Sequence, residues 1–179
     1  MELIKDAIAH VAPEYFNLKT TYEPSGIVRE RVFCYELYHQ IQCRMKPCHR
    51  LSLNGEIDKS GHIDFDQADR KNPDFVFHVP GTHEQNTLII EVKGTLKYHQ
   101  KIINDFETIL IFISKYRYKA GVFILYNHTI AELITAVGKK LKEFASLPGA
   151  DSVHILTIKE ARSPCNESVL SHLLHGRIL

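Results

Sequence analysis

The chain has 179 residues, enough to bury a genuine core within one domain of ordinary size, and its 44% hydrophobic and 24% charged residues are those of a globular protein. A formal net charge of +1 announces neither nucleic acid nor an acidic partner. No run approaches the roughly 18–20 apolar residues of a membrane span, and MELIKDAIAH lacks the basic and apolar regions of a signal peptide.

Four cysteines (Cys34, Cys43, Cys48 and Cys165) are too sparse for a disulfide scaffold, so a reduced, cytoplasmic protein is expected. His39, Cys43, Cys48 and His49 invite a zinc reading. Structural zinc sites repeat tight Cys or His pairs, however, and this segment offers one cysteine pair only. Half-buried thiols are the preferred reading.

No internal repeat, low-complexity tract or interdomain linker interrupts the sequence, so one domain over 1–179 is expected. Leu3, Ile4, Ala7, Ile8 and Val11 keep helical spacing and predict an N-terminal helix over 2–12, stopped by Pro13. A second helix should follow Ser25-Gly26, with Phe33, Leu37, Ile41 and Met45 recurring every fourth residue, and end before Pro47. In LSLNGEID, Leu51, Leu53 and Ile57 share the parity of a half-exposed strand, and 59–72 reads as a long polar loop. PDFVFHVP and TLIIEVK are strand candidates separated by the turn-like GTHEQN. Leu96, Ile103, Phe106, Leu110 and Ile113 mark a long amphipathic helix between 95 and 118.

GVFILY is continuously apolar, as for a strand covered on both faces. Thr129 and Glu132 then have the spacing of a capping box that opens another helix. A last strand is expected over 152–158, followed by a short helix or tail, so that 129–179 forms a helix-and-strand extension. The predicted class is α/β, a mixed central sheet flanked by helices.

Chemistry concentrates on the two middle strands. Side chains alternate along a strand, so Glu91 and Lys93 share a face with Ile89, while Asp74 shares one with Val76 and His78. If the strands pair as a hairpin centred between Thr82 and His83, Asp74 lies opposite Glu91; a two-residue shift sets it opposite Lys93. Either register clusters two acids and a lysine at one end of otherwise apolar strands. Such a cluster is costly in a half-buried sheet unless its charges are paired or coordinate a metal. Magnesium, which prefers oxygen ligands and retains waters, suits paired carboxylates. A retained water is the potential nucleophile, and Lys93 can orient it or neutralise charge developing on a phosphate. Glu-x-Lys alone is more often an ordinary strand-end ion pair; Pro73-Asp74 at matching parity shifts the balance.

Pro73-Asp74 and Glu91-Val92-Lys93 resemble the defining pattern of the PD-(D/E)xK nuclease superfamily, whose restriction-endonuclease-like core runs αβββαβ and would here span about 26–127. The resemblance implies Asp74, Glu91 and the Val92 carbonyl as ligands of Mg²⁺, with Mn²⁺ as a substitute, and Lys93 as the catalytic lysine. Many members complete the site with a glutamate on the first core helix, and Glu30, as a further metal ligand, and Glu36 both stand there as candidates. Their separation of about 600° of helix means they cannot share a face. Glu30 follows the family's Gly-x-x-x-Glu arrangement and lies on the core-facing stripe. An acid is equally at home in any first helical turn, and Glu36 stays a candidate. Glu56 and Asp58 alternate on the first strand, where solvated positions are the plainer reading. His78 has the correct face but sits about 13 Å from Asp74 at strand rise, too far for the same ion; a hydrogen-bonding or substrate-contacting role fits it better.

Charge is unevenly placed along the chain. Over 93–119, six bases (Lys93, Lys97, Lys101, Lys115, Arg117 and Lys119) oppose two acids, and over 39–50 Arg44, Lys46 and Arg50 meet none. Phosphate backbones reward such surfaces, although solvated lysines outside a helix give the same pattern. Tyr98, Tyr116 and Tyr118 are candidates for stacking on bases. Over 54–74 the balance reverses, with six acids against three bases.

The expectation is a Mg²⁺-dependent endonuclease acting on DNA in preference to RNA, in restriction, repair or phage defence. By analogy with the fold, a homodimer is implied as the assembly that cuts both strands. The alternatives are a catalytically silent nuclease-fold module, binding nucleic acid or regulating a larger assembly, and an unrelated α/β domain whose Glu-x-Lys is structural.

Overall fold

A computed structural model describes residues 1–46, 50–55, 72–79 and 86–175. Its elements in chain order are α1 (Glu2–Ala9), α2 (Pro13–Phe16), α3 (Glu30–Arg44), β1 (Ser52–Gly55), β2 (Phe75–His78), β3 (Asn86–Lys93), α4 (His99–Ser114), β4 (Ala120–Tyr126), α5 (Ile130–Ala145), β5 (Val153–Ile158) and β6 (Asn166–Val169), closed by a 3₁₀ turn at Leu170–His175. The architecture is α/β, a six-stranded mixed sheet in the order β1-β2-β3-β4-β5-β6 with helices on both faces. The first three strands pair antiparallel, β3-β4 and β4-β5 are parallel, and β6 returns antiparallel. The two parallel steps are the ones bridged by helices, as parallel neighbours require.

Strand alternation divides the core in two. Phe123 and Leu125 of β4 pack with Val76, Ile89, Phe106 and Leu133 on the side covered by α4 and α5. Val122, Ile124 and Tyr126 point the other way, onto Phe33, Leu37 and Ile41 of α3 and Ile4 and Ile8 of α1. Phe33 and Tyr126 stack face to face at 4.0 Å, with Phe16 edge-on to both. The continuous apolar run of β4 thus occupies a strand buried on both sides.

The hairpin adopts the first of the two registers considered. Phe75 faces Ile90, Val76 faces Ile89 and Phe77 faces Leu88, with a bulge before His78 pairs with Asn86. Extended by one residue, this register sets Asp74 against Glu91.

Three elements depart from expectation. The first helix ends at Ala9, and Pro13 opens α2 instead of merely stopping a helix, because its missing N–H is no loss in a first turn. Helix α3 begins at Glu30, several residues after Gly26: Leu18 and Ile27 form an antiparallel bridge, and Gly26 takes a left-handed turn at φ 89°. The polar NESV segment forms the edge strand β6. The capping box at Thr129 and Glu132 is present in both halves.

Candidate functional site

Four elements converge where β3 ends. Pro73, with no N–H to donate, precedes the ladder, and Asp74 follows it at the threshold of β2. The Asp74 carboxylate accepts the Val92 N–H at 2.7 Å, while its own backbone hydrogen-bonds the Glu91 carboxylate. The first turn of α3 brings Glu30 to the far end of β3, where it accepts the Gly94 N–H at 3.3 Å. Gly94 leaves room for its neighbours, since a β-carbon there would stand 2.3 Å from the Tyr126 ring and 2.5 Å from Val28. Helix α4 supplies the fourth acid, Asp105.

Lys93 joins these groups. Its ammonium donates to the Val92 carbonyl at 3.2 Å and lies 3.7 Å from Glu30 Oε2. It stands 2.9 Å from Asp105 Oδ2, at ion-pair distance. The lysine and Asp105 side chains are only 12% and 15% exposed.

Four carboxyl groups therefore lie near one lysine, two of them (Glu91 and Asp105) largely buried, and their titration reflects the imbalance. Glu91, 6% exposed, is pushed well above the usual carboxylate range by burial, then by the negative charges of Asp74 and Asp105; Lys93 only partly offsets them. Burial likewise raises Asp105 to about 6 against the pull of Lys93. Burial works against the Lys93 ammonium, but Asp105, Glu30 and Asp74 outweigh it and raise its pKa, so it stays charged at neutral pH. Cys34 and Tyr126 are also raised, first by burial and then by charges that include Asp74 and Glu30. The negative field thus reaches the α3 side of the sheet as well.

The sequence-predicted residues separate cleanly in space. Asp74, Glu91, Val92, Lys93 and Glu30 come together. Glu36 accepts a hydrogen bond from Gln40 one turn along α3. His78 bonds Asn54 across the β1-β2 pair at 2.8 Å, a hydrogen-bonding role as expected. Glu56 and Asp58 lie outside the described residues, as do Cys48 and His49 of the zinc reading, whose His39 and Cys43 stand 3.6 Å apart on an exposed stretch of α3. Tyr118 is buried and Tyr116 packs on Phe112, so of the three tyrosines proposed for stacking only Tyr98 is exposed.

Asp105 was missed. Its signal was an acid set among Ile102, Phe106 and Ile109, all buried on α4, an unusual place for a carboxyl group without a partner.

Among the described residues, no group of three or more His, Cys, Asp or Glu side chains is placed to hold a metal ion. A magnesium ion bound by one or two carboxylates and otherwise by water needs no such group. The Asp74 and Glu91 carboxylates and the Val92 carbonyl offer only oxygen donors; here the Val92 carbonyl accepts from the Lys93 ammonium and the Asp74 carboxylate from the Val92 N–H.

Two clefts open beside the site and share Glu30, Arg31 and Tyr35. One, of about 540 Å³, also borders Lys93, Arg29, Tyr98 and Lys101; the other, of about 590 Å³, reaches Asp74, Cys34 and Asn54. Half-buried acids and exposed cations thus line the same clefts. No protein-family model matches the chain, and no curated protein or solved structure is detectably similar to it. Among the described residues, no helix is long and apolar enough to cross a membrane.

Proposed function

We propose that the chain is a Mg²⁺-dependent nuclease hydrolysing phosphodiester bonds in DNA, probing its substrate from the basic rim and cutting beside Lys93. The observation that carries this reading is the charge imbalance: Asp74, Glu91, Glu30 and Asp105 surround a single ammonium in a buried setting. A protein tolerates such an excess when a cation relieves it. The sequence α3-β1-β2-β3-α4-β4, with Pro73-Asp74 entering the second strand and Glu91-Val92-Lys93 ending the third, is compatible with the restriction-endonuclease-like core and supports the same reading.

Asp74, Glu91 and the Val92 carbonyl would hold the ion, which when bound acidifies a water and neutralises phosphate charge. The residues themselves then divide the work. Lys93, kept protonated by its acidic neighbours, is a donor and not a base: it hydrogen-bonds an attacking water or a phosphate oxygen. Asp105 fixes its ammonium from α4. Glu30 binds the Gly94 N–H and so anchors the first turn of α3 against the end of β3.

One observation favours a catalytically silent nucleic-acid-binding or regulatory module instead. The Lys93 ammonium already rests on the Val92 carbonyl, as an internal cation would. Incubation of plasmid, linear and single-stranded DNA with Mg²⁺ or Mn²⁺ separates the two readings. The nuclease reading expects cleavage by the wild type and a loss of at least about a hundredfold in Asp74→Ala and Lys93→Ala, the scale of removing a group that stabilises the transition state. Cleavage that survives both substitutions rules the assignment out.

A further inference from the structure

We infer, resting on that reading of the site, that the substrate is presented as single-stranded DNA, with unpaired bases stacked on Tyr35 and Tyr98. Both tyrosines line the cleft that holds Glu30 and Lys93. Tyr35 projects from α3 with 66% of its surface exposed, and Tyr98, at the start of α4, is 51% exposed. Tyr35 faces outward because α3 buries Phe33, Leu37 and Ile41. A residue two positions from Phe33 is turned about 200° away from it.

The cations are arranged around these rings. Lys97 and Lys101 place their ammonium groups 5.6 and 5.1 Å from the centre of the Tyr98 ring. Arg29 and Arg31, both exposed, line the same cleft from the approach to α3 and from its first turn. Aromatic faces with basic groups beside them form the usual platform for a single strand: the rings take the bases and the cations take the phosphates.

A duplex has little use for this arrangement. Its bases are paired and stacked on one another, so only phosphates and groove edges are offered to side chains and no base face is free to stack on a ring. Two exposed aromatic rings on the walls of one cleft, next to the catalytic lysine, gain their partners when the bases are unpaired. The second cleft is lined by Tyr35, Arg31 and Asp74. A single strand lying from Tyr98 to Tyr35 therefore runs past Glu30 and Lys93, and one that continues beyond Tyr35 reaches Asp74.

Fluorescence anisotropy tests this without any cutting. The full chain is titrated in EDTA against a labelled oligodeoxythymidine and against a blunt hairpin duplex of equal phosphate count. The expected result is tighter binding of the single strand. Its preference over the duplex should fall about tenfold in Tyr35→Ala and in Tyr98→Ala, roughly one base–aromatic stack each. Tyr35→Phe and Tyr98→Phe should retain the preference, because the ring and not the hydroxyl does the stacking. Thermal melts report whether each variant is folded. Equal or tighter binding of the duplex overturns the inference, as does a preference unchanged by both alanine variants. A chain that shows the single-strand preference yet cuts nothing with Mg²⁺ overturns the nuclease reading alone; one that cuts duplex DNA with both tyrosines dispensable overturns this inference alone.

Discussion

Two clusters of charge on this sheet use the same residue types to opposite ends. At the β6 edge, Glu167 stands between Lys5 of α1 at 2.8 Å and His154 of β5 at 2.8 Å, and Lys5 also meets Glu2 at 2.7 Å. At the end of β3, four acids share Lys93. Burial pushes both Glu167 and Glu91 toward the neutral form. For Glu167 the hydrogen bonds from Lys5 and His154 overcome it, and the pKa falls below the ordinary value. For Glu91 the neighbouring acids add to burial, and the pKa rises. The balanced cluster fastens the N-terminal helix to the last strand and is complete by itself. The unbalanced one is a standing cost to the fold, the kind of departure found where a site is built for something other than stability.

The largest effects should separate residues within the unbalanced cluster from their neighbours outside it. Glu30→Gln should reduce Mg²⁺-dependent DNA cleavage by about tenfold to a hundredfold, since it removes a charge that faces Lys93 and loosens the turn at Gly94. Glu36→Gln, one helical face away and bonded to Gln40, should change cleavage by less than about twofold, as expected for a substitution remote from the chemistry. Equal losses in the two variants would dissolve the distinction drawn between them.

Stability should shift in opposite directions in the two clusters. Glu91→Gln removes a carboxyl group that burial and like charges make costly to ionise, so the metal-free protein should melt about 2–4 °C higher, the shift that about 1 kcal/mol gives in a chain of this length. The same variant should lose cleavage. Glu167→Gln removes the acid that Lys5 and His154 share, and should lower the melting temperature by at most a similar amount, because the pair is partly screened by solvent. Calorimetry in EDTA measures both. A destabilised Glu91→Gln would show that this carboxyl is structural and that the imbalance has been misread.

Much of this contrast was legible in the sequence, and the reason is geometric. Alternation in a strand fixes which residues share a face, so Asp74, Glu91 and Lys93 could be set together from parity once the two strands are taken to pair as a hairpin. Thr129 and Glu132 announced the start of α5 through a local pattern. Asp105 was not legible in the same way. Its meeting with Lys93 depends on how α4 is rotated over the sheet, which is decided by Ile102, Phe106 and Ile109 and by the close approach at Gly121, where a β-carbon would stand 2.2 Å from Ile109. Strand β6 was missed because it is held at the edge by charge, through Glu167, and not by an apolar alternation. The turn of Tyr35 away from the Phe33, Leu37 and Ile41 stripe follows from the helical period alone.

The finest distinction between the two clusters is their response to pH. Asp105 titrates at about 6 in the folded protein against an ordinary 3.8, and Glu91 is raised as well. Between the unfolded and folded values, the native state therefore binds more protons than the unfolded chain. Stability from these groups is greatest below the unfolded values and declines as pH rises through the window, for Asp105 from about 4 to about 6. Glu167, with a lowered pKa, contributes stability above its ordinary 4.5 that is lost as pH falls. In metal-free protein the melting temperature of Asp105→Asn minus that of the wild type should consequently climb from pH 4 to pH 6 and flatten above it. The corresponding difference for Glu167→Gln should become more negative from acid toward neutral pH. The slopes carry the test, since each substitution also changes a contact that is independent of pH. Added Mg²⁺ should reduce the Asp105 slope, because a cation held by Asp74 and Glu91 offsets the negative field that helps raise it; a slope indifferent to Mg²⁺ would mean that the ion is not bound beside this acid.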